Sequence, residues 1–155
     1  MNDVNYWLMK CEPDAYSIDT LKKDQFTLWD GIRNYQARNF MRKMEIGDKV
    51  FFYHSNCKPP GIVGLMEVSE KDLIDPTQFD KNSKYYDANS SEIKPRWDCV
   101  KVKFIFKSKN MLSLDQLKSS FNGEELLIVK KGNRLSITPV EKSIANQILT
   151  KLEPD

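Results

Sequence analysis

Apolar positions along this chain follow two periods, and the switches between them mark the elements. Val4 to Cys11 holds the near-continuous run Tyr6-Trp7-Leu8-Met9 and predicts an opening strand. Pro13-Asp14 turns the chain, and Ser17 caps a short helix through Lys23. Phe26 to Trp29 is a short extended piece that ends at the turn dipeptide Asp30-Gly31. From Asn34 to Met44 the period becomes helical, with Ala37, Phe40, Met41 and Met44 on one face and Tyr35, Arg38, Asn39 and Arg42 on another. Gly47-Asp48 ends that helix. Lys49 to His54 is short and apolar throughout, which predicts a strand buried on both faces.

Pro59-Pro60-Gly61 turns the chain into a neighbouring strand, Ile62 to Val68. Ser69 to Arg96 is polar and predicts a long loop, a kind of segment that is commonly functional or mobile. Cys99 to Lys107 alternates as a half-exposed strand does. Ser113 to Gln116 fits a capping box, and Leu126 to Lys130 and Arg134 to Ile137 predict short strands. Thr138-Pro139-Val140-Glu141 reads as the cap of a closing helix that carries Val140, Ile144, Ile148 and Leu152 down one face. The sum is an α+β chain, with a curved sheet or open barrel edged by helices. With no repeat and no dividing linker, residues 1–155 are expected to form a single domain.

Composition narrows the classes. Eight Phe, six Tyr and three Trp supply enough ring area for a core although only 40% of residues are hydrophobic. No run is long and apolar enough for a membrane span, and the polar start, Met1 to Asn5, is not expected to act as a leader. Cys11, Cys57 and Cys99 are far apart and share no ligand spacing with His54, so neither a disulfide framework nor a metal site is expected. Reduced thiols point to the cytoplasm. A net charge of +2 argues against wrapping duplex DNA by bulk electrostatics, so any nucleic-acid affinity needs a pocket.

Catalytic signatures are missing from the sequence. It has no Walker loop, no G-x-G-x-x-G after a strand and no nucleophile elbow. His54 and Ser55 are neighbours on a strand and point to opposite faces, which makes a poor dyad. The expectation is a non-enzyme without cofactor.

Three segments place polar or aromatic side chains at element ends: Lys10-Cys11-Glu12-Pro13, Trp29 through Tyr35, and His54-Ser55-Asn56. A flat base needs rings against its faces and donors and acceptors around its edge. Trp29 offers a ring, and Asp30, Asn34 and Ser55 offer edge chemistry. Each has a plainer role open to it. Trp29 is by residue type more often core, Asn34 can be only a helix cap, and His54 can be a satisfied structural histidine. Trp97, after Pro95-Arg96, can simply cover the sheet. Two other functions compete with base binding. Lys10, Glu12 and Asp30 could serve a small hydrolase of modified nucleosides, and a protein-interaction module would use all the rings as core.

The blocks Tyr6 to Asp14, Trp29 to Asn39, Phe51 to Asn56, Pro60 to Gly64, Tyr85-Tyr86-Asp87, Pro95-Arg96-Trp97 and Gly132 to Ser136 together resemble the EVE-domain family over nearly the whole chain. The resemblance implies a PUA-like fold, a small curved β-barrel with flanking helices. It also implies recognition of DNA or RNA carrying a modified base, such as 5-hydroxymethylcytosine or 5-methylcytosine, as related YTH domains hold N6-methyladenine in an aromatic cage. By similarity Trp29 is the cage tryptophan and Trp97 a second wall, while Lys10, Cys11, Asn34, Tyr35, His54 and Ser55 line the rest beside Asp30. One position departs from the family: Cys11 stands where Ser is usual, and a thiol is a weak donor. On this reading Arg33, Arg38 and Arg42 hold flanking phosphates, the Ser69–Arg96 loop closes over the base, and the chain acts as a monomer.

Overall fold

Alternation along the strands decides which of two cores each side chain joins. In β1 (Tyr6–Cys11) and β3 (Lys49–His54), Trp7, Met9, Val50 and Phe52 enter one apolar cluster, while Leu8, Phe51 and Tyr53 enter the other. Val50 to Tyr53 is therefore apolar at every position because both faces of β3 are covered. The computed structural model describes residues 4–155. Met1, Asn2 and Asp3, most of the segment read for a leader, lie outside the described residues.

The remaining strands are β2 (Phe26–Trp29), β4 (Gly61–Ile74), β5 (Asp98–Ser113) and β6 (Ile137–Val140). They build one six-stranded sheet in the order β2-β5-β4-β3-β1-β6, parallel between β1 and β3 and antiparallel elsewhere. Register shifts along β4 and β5 mark bulges, which bend the strands that carry them. Helices α1 (Ile18–Asp24) and α2 (Tyr35–Lys43) send Ile18, Leu21, Ala37 and Met41 into the first cluster. Helices α3 (Leu114–Ser120) and α4 (Lys142–Lys151) send Leu117, Ile144, Ala145 and Ile148 into the second. The fold is α+β, as the pattern predicts, with two helices on each face.

Local signals behave as their chemistry requires. Ser17 Oγ accepts from Thr20 N–H, and Ser113 with Gln116 forms the predicted capping box. Asp48 is buried yet satisfied. It accepts from Trp7 Nε1 at 2.9 Å and from the backbone of Glu45 and Asn5, tying the end of α2 to β1. Among the described residues no helix is long and apolar enough to cross a membrane.

Five predicted segments are corrected, one of them the strand expected over Arg134 to Ile137, of which only Ile137 joins a strand, β6. Ser69 to Ile74 is not loop but the far half of β4, paired with β5, and Pro76–Phe79 is a 3-10 turn. The strand predicted over Cys99 to Lys107 runs on to Ser113. Leu126 to Lys130 holds a 3-10 turn, Leu127–Val129, instead of a strand. Thr138 caps nothing: β6 begins at Ile137 and takes in Thr138-Pro139-Val140, and α4 starts at Lys142 without a side-chain cap. Pro139 is tolerated in that strand because β6 is a sheet edge, where a missing N–H breaks no inner ladder.

Candidate functional site

Strands β1, β2 and β3 end beside one another, and the residues just past them enclose a cavity of about 530 Å3. Lys10, Cys11 and Glu12 come from the end of β1, Trp29 to Ile32 from β2 and the turn after it, and Ser55 from the residue after β3. Ala15 and Tyr16 form one flank, Ser136 another, and Lys84 and Tyr85 reach in from the long loop. Backbone bonds lock these ends together: Ser55 N–H donates to Cys11 O at 3.0 Å and Lys10 N–H to Ser136 O at 2.8 Å.

Three aromatic residues border the space, Tyr16, Trp29 and Tyr85. Trp29 is only 6% exposed, its edge set against Phe52 at 5.3 Å and 82°, so the indole is held rigidly by the core while it borders the cavity. Tyr85 lies over Gly31, whose φ of +80° and lack of a side chain both matter, since a Cβ there would sit 2.7 Å from the tyrosine ring.

Arg33 holds Tyr85 in place. Its Nε and Nη2 donate to Tyr85 O at 2.9 and 2.7 Å, Nη1 to Ile32 O and Asp75 Oδ2, and Nη2 also to Thr77 Oγ1. The guanidinium also sits over the Tyr85 and Trp97 rings, 5.6 and 5.3 Å from their centroids.

The charges that face the cavity are poorly compensated. No carboxylate pairs with the half-buried Lys10 among the described residues, and burial holds its pKa below the usual lysine value. Asp30 faces the cavity, and its carboxyl is pushed up, first by desolvation and then by Asp75, with Arg33 opposing. Burial also pushes the Cys11 thiol up, so it is a thiol and not a thiolate that borders the space. Glu12 accepts from Asn56 Nδ2 at 3.2 Å.

Of the nine pocket residues expected from the sequence, the structure brings together Lys10, Cys11, Trp29, Asp30 and Ser55. It places the other four outside the lining. Trp97 is buried, stacked on Tyr35 at 4.9 Å and 24°, and its Nε1 donates to Asp87 Oδ2 at 2.7 Å. It braces the loop from outside, and Tyr35 is the outer leaf of that stack. Asn34 is the N-cap of α2, its Oδ1 accepting from Ala37 N–H at 2.9 Å. His54 Nε2 accepts from Ile18 N–H at 3.1 Å, and burial holds its pKa below the usual histidine value.

The three expected phosphate ligands are engaged within the chain. All five donors of Arg33 have acceptors, which leaves none for a phosphate. Arg42 is ion-paired with Asp98, and Arg38 donates to Arg96 O at 2.8 Å while lying over the Tyr35 ring. Lining residues not singled out in the sequence include Tyr16, Lys84, Tyr85 and Ser136. The last two fall in blocks that carried the family resemblance, and that was the available signal.

Comparison with known proteins agrees with this architecture. A family model described as the EVE domain matches residues 5–151. Rat thymocyte nuclear protein 1 is 41% identical over 99% of this chain and 76% of its own length. A Pseudomonas syringae protein of solved structure superposes with a TM-score of 0.91 at 44% identity, covering 94% of this chain and 98% of its own. The human THYN1 protein, solved in complex with DNA containing 5-methylcytosine, superposes with a TM-score of 0.89 at 40% identity, covering 97% of this chain and 99% of that one. A YTH domain solved with RNA shares the fold alone, with a TM-score of 0.50 at 16% identity.

Proposed function

The chain belongs to the EVE domain family, and from that premise we propose that it is a non-catalytic reader of a modified base in nucleic acid, of which a 5-modified cytosine in DNA is the leading case. The observation that carries this is the cavity between Trp29 and Tyr85, with a tryptophan fixed by the core on one side and the unpaired groups of Lys10 and Asp30 around it. A base flipped out of its stack costs a few kcal/mol, and stacking on aromatic side chains returns about 1–3 kcal/mol per base. The human relative, bound to 5-methylcytosine-containing DNA, supports the same assignment here. The commitment of His54 Nε2 to Ile18 N–H supports the non-catalytic part, because it occupies the one imidazole lone pair a base would use. Cytoplasmic residence stays part of the proposal, and fractionation of cells expressing a tagged chain tests it.

Fluorescence anisotropy with short oligonucleotides that differ only in one central cytosine, plain, 5-methyl or 5-hydroxymethyl, tests the reading. The expected result is tighter binding of a modified oligonucleotide, and a loss of roughly tenfold or more in Trp29→Ala. Because Trp29 also belongs to the core, Tyr85→Ala serves as the second variant, with folding followed by circular dichroism. Equal binding of plain and modified oligonucleotides, or parental affinity in both variants, refutes the pocket assignment.

A further inference from the structure

We infer that Asp30 selects the base, admitting pyrimidines that carry a 4-amino group, as cytosine does, and rejecting thymine. The inference rests on the base-reading role proposed above and adds to it the edge chemistry of the guest.

Asp30 follows Trp29 directly, and both residues line the cavity. The nearby cation that would ordinarily neutralise it is Arg33, and Arg33 is taken by a different carboxylate. Asp75 is fully buried, receives Arg33 Nη1 at 3.0 Å, and also accepts from Gly31 N–H at 2.8 Å and Thr77 N–H at 2.8 Å. Apart from its own backbone N–H, nothing among the described residues donates to Asp30. The fold therefore satisfies one acid of the pair and leaves the other facing the cavity without a donor. A carboxyl in that state gains from a guest that brings an N–H.

Which pyrimidine edge fits follows from counting donors and acceptors. A 4-amino group donates to one carboxyl oxygen. Thymine presents a carbonyl oxygen where cytosine presents the amine. Against a carboxylate, that sets two acceptors against each other, and such mismatches are rejected far more strongly than a missing methylene.

The discriminating pair is 5-methylcytosine and thymine, because both carry the 5-methyl group and differ only at positions 3 and 4 of the ring. Anisotropy titrations compare single-stranded oligonucleotides with one or the other at the centre, together with plain cytosine. The parent is expected to prefer 5-methylcytosine over thymine by roughly 10- to 100-fold. Asp30→Ala is expected to bind the two alike. Asp30→Asn, whose amide can turn either way round, narrows the preference and gives the answer should the alanine variant fail to fold. Either variant binding with the parental preference overturns the inference. So does a parent that prefers 5-methylcytosine over plain cytosine yet binds thymine equally well, and that result leaves the reader itself standing. A parent that distinguishes none of the three bases overturns the reader, and this inference with it.

Discussion

Replacing Gly31 with alanine tests how the pocket wall is held. The residue has a φ of +80°, in the left-handed region that costs an L-residue roughly 1–2 kcal/mol. The added methyl would also lie 2.7 Å from the Tyr85 ring, which must retreat by about 0.7 Å to reach ordinary contact at 3.4 Å. The ring is not free to do so, because Tyr85 O receives two bonds from Arg33 whose guanidinium also lies against the ring face. Weakening that clasp adds on the order of 1 kcal/mol, for a total loss of about 2–3 kcal/mol. At roughly 2–4 °C per kcal/mol for a chain of this size, Tm should fall by about 4–12 °C. Gly47→Ala is the control, since Gly47 has a φ of +96° and open space where its Cβ would be, so it carries the backbone strain without a clash. Thermal melts of both variants and anisotropy with a modified oligonucleotide give the readout. The Gly31 variant should lose more stability than the control and should also lose affinity. Equal losses in the two variants, with affinity kept, would refute the claim that Tyr85 is seated on Gly31.

Two further outcomes follow from groups away from the pocket. Thr138 is fully buried and its Oγ1 has no partner, so Thr138→Val, which exchanges that hydroxyl for a methyl of similar size, should raise stability by about 1 kcal/mol in urea unfolding; a loss would mean the hydroxyl is satisfied after all. His54 accepts a backbone bond as neutral imidazole and its folded pKa lies below the ordinary 6.5. Its contribution to stability is therefore complete above pH 6.5 and is lost as pH falls through the folded pKa, because the unfolded chain takes up the proton first. Urea midpoints measured from pH 7 down to about pH 5 should fall more steeply for the parent than for His54→Gln, and parallel curves would remove the histidine from the account.

How far the sequence could be read depended on whether a residue's role was set locally. Caps at Ser17, Asn34 and Ser113 need only their own helix, and all three are in place. The apolar run of β3 needs only two covered faces. Ser69 to Ile74 was obscured because both sides of that ribbon are partly wet, so its polarity resembles a loop although it pairs with β5. Thr138-Pro139 carries a sound helix-start signal, but pairing of Ile137 to Val140 with β1 outweighs it. Local preference yields wherever a strand partner distant in sequence is available.

The same distinction explains why the pocket residues were half legible. Trp29 and Trp97 look alike in sequence, each at a strand end with polar neighbours, and only the partners of the second separate them. Trp97 gives its Nε1 to Asp87 and its face to Tyr35, so its polar and apolar capacities are both spent inside the chain. Arg33 is spent in the same way, and with it the phosphate role that its charge and position suggest. Lys10 and Asp30 are the contrary case: two charged groups of opposite sign border one cavity, lack partners among the described residues, and carry pKa values displaced toward their neutral forms. Folding alone gives no reason to keep such groups, since half-burying Lys10 and holding Asp30 in the field of Asp75 both cost free energy without a partner. A guest that supplies both a donor and an acceptor offsets that cost at both ends. The satisfied arginine thus marks the scaffold and the unsatisfied pair marks the site, a difference of pairing that residue type does not reveal.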